Sequence, residues 1–310
     1  GLRTFLGARF VFGAGGAVVV TLLGPAVMQW FPRGELPLVN ALNNVAVNTG
    51  IALTLVTTVP LAARVGWRRA LLVYAAVNVL LCLAWAAFGR DRATGTAGSS
   101  PSGSSGAPVQ KARFADVWRL RETWIIALAF TAPLALYLAF NTWLPRYYVE
   151  AFGMDKGTAS RFAAFINFVG IPAAVVGGFL TRRIGLRRPF IIGAGLAIGF
   201  AGFGMFLLRE PAQLLACAVV LGTCFFIAGS PLFTTAMELP GVTPAHISLI
   251  MGTVFSSAYL VSSASPLVVG WLRDRTGSYV PGLALWAGFS WVLGLCGLLL
   301  PETGPRRRAA

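Results

Sequence analysis

Side chains capable of acid–base or metal chemistry are few in this chain and are kept apart. Ten Asp and Glu residues and one histidine, His246, are spread over 310 positions. Every carboxylate, from Glu35 to Glu302, falls in a polar stretch or at the edge of an apolar one. Catalysis or metal binding needs several such groups within reach of one another. The four cysteines, Cys82, Cys217, Cys224 and Cys296, sit inside apolar runs without metal-ligand spacing. We therefore expect no catalytic residue, no metal, no cofactor and no enzyme activity.

The apolar runs do hold neutral polar residues and one cation. Asn40, Asn44 and Asn48 recur at i, i+4 and i+8, which puts three amides on one helix face. Tyr137 and Asn141 share a face by the same spacing. Asn167 stands between Phe165 and Phe168, and Ser256 lies in a run rich in Ser and Thr. Amides and hydroxyls in apolar surroundings need partners. These are either neighbouring helices, which such groups glue together, or a polar ligand. Arg9 keeps its proton under all ordinary conditions. It either faces an interior path and attracts an anion or snorkels toward lipid headgroups. The candidate substrate-binding residues are thus Arg9, Asn44, Asn48, Tyr137, Asn141, Asn167 and Ser256. A second set is charged: Arg182, Arg183, Arg187 and Arg188 crowd one short loop. Like charges so close need acceptors, and Glu238, at the end of a later apolar run, is the candidate acid. An ion pair of this kind could hold helix ends together in one state and release them in another, so these five residues are candidate gating residues.

The composition names the class of scaffold that must hold these groups. The chain is 56% hydrophobic and only 11% charged, with a mean hydropathy of +0.74. A soluble domain carries about 25% charged residues. Nine stretches of 20 residues or more contain no Asp, Glu, Lys, Arg or His: 10–32, 36–63, 70–89, 123–145, 162–181, 189–208, 211–237, 247–272 and 276–301. A spanning helix needs about 20 mostly apolar residues, so the expected fold is an all-α membrane protein with nine transmembrane helices. The net charge of +15 comes from short basic clusters between these runs, the pattern of membrane flanks; no nucleic-acid partner is expected. The segment Gly89–Arg113 is rich in Gly, Ser and Pro and reads as a flexible linker. Shifting the first run by 209 residues superposes Leu6 on Leu215, Gly13 on Gly222, Met28 on Met237 and Gln29 on Glu238. Runs one to three therefore echo runs seven to nine, and runs four to six have no counterpart upstream. A complete protein would have six helices on each side of the linker. Loops on the linker side carry 14 basic residues against 10 on the opposite side, which favours a cytoplasmic linker and C-terminus.

Short motifs add a resemblance. Arg9-Phe-Val-Phe-Gly13 resembles the Arg-x-x-x-Gly motif in the fourth helix of the major facilitator superfamily. Gly178-Phe-Leu-Thr-Arg182-Arg183-Ile-Gly185-Leu-Arg187-Arg188 resembles that family's Gly-x-x-x-Asp-Arg-x-Gly-Arg-Arg loop in its second copy, with Arg182 where the motif has Asp. Trp30-Phe-Pro-Arg-Gly-Glu35 and the tail Pro301-Glu302-Thr303-Gly304 are similar to further family segments. The resemblance implies helices 4–12 of a twelve-helix fold. Residues 1–88 would be the second half of the N-terminal six-helix bundle, 89–116 a cytoplasmic linker and 117–310 the C-terminal six-helix bundle. It places the equivalent of the fourth run beside a central cavity, and the third, sixth and ninth runs against lipid. It implies a secondary transporter working by alternating access on a small anionic or neutral polar solute, with a proton or another ion as candidate coupling partner. The setting would be a bacterial inner membrane or plasma membrane, and the protein a monomer in the lipid bilayer. Met237–Pro244 and Leu272–Ser278 look like segments of the cyanate-permease branch. The other readings are a non-transporting sensor on the same fold and a multidrug or organic-solute efflux transporter.

Overall fold

The computed structural model describes residues 2–32, 34–89 and 114–304, a number of them within the helices by backbone alone. The linker expected at 89–116 therefore falls largely outside the described residues, as does the basic tail from residue 305. Helices are the only regular elements among the described residues: α1 (Leu2–Trp30), α2 (Leu36–Val65), α3 (Trp67–Phe88), α4 (Phe114–Arg119), α5 (Arg121–Phe152), α6 (Lys156–Ile184), α7 (Arg188–Leu207), α8 (Pro211–Glu238), α9 (Pro244–Ser263), α10 (Ser265–Thr276), α11 (Val280–Ser290) and α12 (Val292–Leu299). The short α4 aside, these fall on the nine apolar runs, because α9–α10 and α11–α12 are each one run interrupted at a single residue, Ala264 and Trp291. Among the described residues seven helical segments are long and apolar enough to cross a membrane. They are the segments built on α3 and α5–α12.

The chain divides into two compact units, Gly1–Val45 with Lys111–Ala310, and Ala46–Gln110. In the smaller unit, α3 and the later part of α2 are joined by the Tyr74 hydroxyl, which meets the Thr57 and Thr58 hydroxyls at 2.7 and 2.9 Å. Thr54, Thr57 and Thr58 also donate to carbonyls one turn back. The threonines that make α2 look polar are thus satisfied by backbone and by Tyr74. Along α3 only Ala70 is buried, so most of its apolar side chains are exposed.

In the larger unit α5 is the central element. Its buried face runs from Thr123 to Tyr148 and packs against α6, α9, α11 and α12. Association inside a membrane gains little from apolar burial and relies on close packing and hydrogen bonds. Both are evident. Gly222 lets α8 lie directly on α6, since a Cβ there would come within 2.5 Å of the Ile166 carbonyl oxygen. Ser262 and Ser265, flanking the break at Ala264, donate to the Thr131 and Ala135 carbonyls of α5, and the Trp143 indole N–H donates to the Pro266 carbonyl at 2.8 Å. Asn40 on α2 donates to the Thr234 hydroxyl of α8 at 3.2 Å, and Ser230 donates to the Pro37 carbonyl at 2.6 Å. Loops are fixed by local caps. Asp155 accepts from the Gly157 and Thr158 N–H groups at the start of α6. The imidazole Nδ1 of His246 meets the Thr243 hydroxyl at 2.7 Å before α9. That contact absorbs the lone histidine into a helix start.

Candidate functional site

Near the middle of α5 and α6 the structure brings together three of the predicted polar residues. The Tyr137 hydroxyl donates to Asn167 Oδ1 at 2.5 Å. Asn167 Nδ2 donates to Asn141 Oδ1 at 3.1 Å, and Asn141 Nδ2 donates to the Tyr137 backbone carbonyl at 2.8 Å. The Tyr137 ring stacks on Phe225 of α8 with centroids 4.8 Å apart and planes 13° from parallel, and it meets Phe226 edge-on. Asn141 is exposed and Asn167 and Tyr137 are half-buried. This is a polar closed loop on an aromatic wall, the kind of convergent polar group set in apolar lining that small-molecule sites use.

The remaining candidates are placed less closely. Asn44 lies beside Gly229 of α8. Ser256 on α9 is exposed. The side chains of Arg9 on α1 and Asn48 on α2 lie outside the described ones. Other hydroxyls of the α9–α10 run are used up by backbone: Thr253 donates to the Leu249 carbonyl, Ser257 to Thr253 and Ser263 to Leu260. No group of three or more His, Cys, Asp and Glu residues that could hold a metal occurs among the described residues.

At the linker-side end of the same unit lies a buried charge network. Gly185 ends α6 in the left-handed conformation (φ 68°) and turns the chain so that Arg187 points inward. The guanidinium of Arg187 is 1% exposed. Its Nη2 and Nε donate to Glu238 Oε1 and Oε2 at 3.1 and 3.3 Å, and its Nη1 donates to the Thr181 carbonyl at 3.1 Å. The Thr303 hydroxyl donates to Glu238 Oε2 at 2.8 Å. Arg188 instead donates to the Gly297 and Leu298 carbonyls at the end of α12. Arg182 and Arg183 are exposed and make no pair among the described residues. Glu302 accepts from the Arg187 and Arg188 backbone N–H groups at 2.8 and 3.0 Å, capping the free end of α7. The ends of α6, α7, α8 and α12 are thus tied in one knot. The roles of Thr303 and Glu302 were not read from sequence; the only signal was the short polar Pro-Glu-Thr-Gly tail after the last apolar run.

The opposite end carries a more exposed cluster. Glu150 on α5 accepts from Arg146 at 2.6 Å, from Arg273 of α10 at 3.3 Å and from the Tyr279 hydroxyl at 3.0 Å. Arg273 also lies over the Tyr279 ring.

The probable sulfoacetate transporter of Cupriavidus necator is 29% identical over 288 residues, covering 87% of this chain and 66% of that protein. The nitrite extrusion protein of Bacillus subtilis is 25% identical over 285 residues (91% and 67%), and the hexuronate transporter of Escherichia coli K12 is 25% identical over 302 (91% and 69%). The chain thus spans about two thirds of the length of these relatives. In three dimensions it resembles the crystal structure of the transporter FucP in the outward conformation, with a TM-score of 0.72 at 16% identity over 97% of this chain and 77% of that one. The sequence matches the family model of the Major Facilitator Superfamily over residues 1–245. A match over most of the chain, joined to the fold of a solved member along nearly its whole length, shows that this chain belongs to the Major Facilitator Superfamily.

Proposed function

We propose that the protein is a secondary active transporter that moves a small anionic or neutral polar solute across a bacterial inner or plasma membrane by alternating access. The observation that carries this reading is the Tyr137–Asn167–Asn141 loop halfway along α5 and α6, backed by Phe225 and Phe226. The relatives' named solutes, sulfoacetate, nitrite and hexuronate, support a small anion. Arg9, Asn44, Asn48 and Ser256 are proposed as further solute-binding residues on the strength of their polarity in apolar runs. The Arg187–Glu238 knot, with Arg182, Arg183 and Arg188 around it, serves as the linker-side gate. Residues 1–88 belong to the first bundle and 117–310 form the second, with a cytoplasmic linker and C-terminus. The protein works as a monomer in the bilayer, with a proton or another ion as coupling partner. Proteoliposomes containing the intact protein test this by uptake of labelled sulfoacetate, glucuronate and fucose with and without imposed ion gradients. Saturable uptake of at least one solute, driven by a gradient, is expected. Failure to move any of them under every gradient would refute the reading.

A further inference from the structure

We infer that the Asn141 and Asn167 amides form a donor pair for the oxyanion head, a carboxylate or sulfonate, of the solute, and that Tyr137 sets their orientation. This rests on the transport reading above and gives it a chemical class. The polarity of the loop is fixed from one end by the backbone. The Tyr137 carbonyl can only accept, so Asn141 turns its nitrogen to it. The Asn141 oxygen then faces Asn167, which answers with its own nitrogen. That leaves the Asn167 oxygen toward Tyr137, whose hydroxyl donates. Turning either amide over would set donor against donor or acceptor against acceptor.

The fixed polarity determines what is left for a ligand. Each amide nitrogen carries two hydrogens and spends one in the loop. Among the described residues neither second hydrogen has a partner. Each amide oxygen already receives a hydrogen. An unmade N–H costs more than a half-used carbonyl, so the unmet demand of the cluster is for an acceptor. The two spare donors belong to amides joined by a 3.1 Å hydrogen bond, close enough to serve two oxygens of one head. No carboxylate occurs between residues 123 and 149 or between 156 and 209, so no acidic side chain of α5 or α6 opposes an anion there. The stacked ring of Phe225 keeps the Tyr137 side fixed and apolar, where hydrogen bonds to charge are strengthened.

The test measures binding of sulfoacetate, glucuronate and fucose by calorimetry to the intact protein in nanodiscs. Sulfoacetate or glucuronate should bind at least tenfold tighter than fucose. Asn141→Asp and Asn167→Asp, which keep the shape and remove the spare donor, should each weaken oxyanion binding tenfold or more. Tyr137→Phe removes the hydroxyl that anchors the Asn167 oxygen and so loosens that amide without reversing it; it should weaken oxyanion binding several-fold and narrow the ratio between oxyanion and fucose. Thr142→Ala, on the neighbouring position and bonded only to its own helix, should change neither and reports on folding. Tighter binding of fucose, unchanged oxyanion affinity in both Asp variants, or an unchanged ratio in Tyr137→Phe would overturn the inference while leaving transport in place. Uptake of none of the three solutes would overturn the transport reading and this inference together.

Discussion

Breaking the Arg187–Glu238 pair should loosen four helix ends at once, and the size of the effect follows from burial. The two side chains are 1% and 5% exposed, so neither has water to fall back on. Removing one partner of such a pair costs about 3–5 kcal/mol, because the other charge is left buried and unpaired. In Glu238→Leu the guanidinium keeps only its bond to the Thr181 carbonyl, and Thr303 loses its acceptor. In Arg187→Met the carboxylate keeps only the Thr303 hydroxyl. Replacing both removes the stranded charge, and apolar substitutes for buried pairs are often tolerated. The double variant should therefore be less perturbed than either single one. Hydrogen exchange of the intact protein in nanodiscs reads this directly, since local opening free energy sets amide protection. A cost of about 3 kcal/mol corresponds to roughly a hundredfold faster exchange. The acceleration should be confined to peptides around 181–190, 234–242 and 296–304. The double variant should recover most of the protection. Single variants with exchange within threefold of the native protein, or a double variant worse than both, would show that the pair does not hold these ends.

Other parts of the molecule carry smaller, separate expectations. Hydrogen bonds from Thr158 and Gly157 hold the Asp155 carboxyl down to about 2, below its ordinary 3.8. A carboxylate held below its unfolded value contributes above that value and loses its contribution as pH falls through the folded one; the first turn of α6 should stay protected at pH 4 and fray toward pH 2. At neutral pH Asp155→Asn should keep the cap and Asp155→Ala should lose it, read by exchange of the Gly157 and Thr158 amides. Glu150→Gln loosens an exposed cluster, where a pair is worth ~0.2–1 kcal/mol; thermal unfolding in detergent should shift far less than for Glu238→Leu. Gly222→Ala drives a methyl into the Ile166 carbonyl and should cost about 1–3 kcal/mol. Because α6 and α8 carry Asn167 and Phe225, the same variant should weaken solute binding as well as lower the unfolding temperature.

How much of this was legible in the sequence depends on how local the cause is. The helices on the nine apolar runs, seven of them of membrane-crossing length and apolarity among the described residues, were legible because the bilayer demands length and apolarity from each segment separately. A charged set at a helix end also announces itself: four arginines in one loop require acceptors, and Glu238 was a visible candidate. Which arginine reaches it was not legible, because that turns on the left-handed Gly185 rotating Arg187 inward while Arg182 and Arg183 stay on the exposed end of α6. Tyr137 and Asn141 share a face by spacing alone, but their closure through Asn167 requires the register of α5 against α6. That register is supported from α8, where Gly222 packs on the Ile166 carbonyl beside Asn167 and Phe225 stacks on Tyr137, contacts made by residues distant in the chain.

The α9–α10 run shows the limit most sharply. Its serines and threonines read as a polar lining, yet Thr253, Ser257 and Ser263 bond to their own helix, and Ser262 and Ser265 to α5. A hydroxyl in a membrane helix can satisfy itself on a carbonyl one turn back, and sequence cannot tell that use from an offer to a ligand. Asparagine is more informative. Its amide has two hydrogens and an oxygen, more than one backbone carbonyl can occupy. Among the described residues, Asn141 and Asn167 each retain a hydrogen after their bonds to the protein are made. In an apolar span, then, a buried hydroxyl is weak evidence of a ligand, whereas an amide whose polarity is fixed and whose donors are not exhausted points to a specific acceptor.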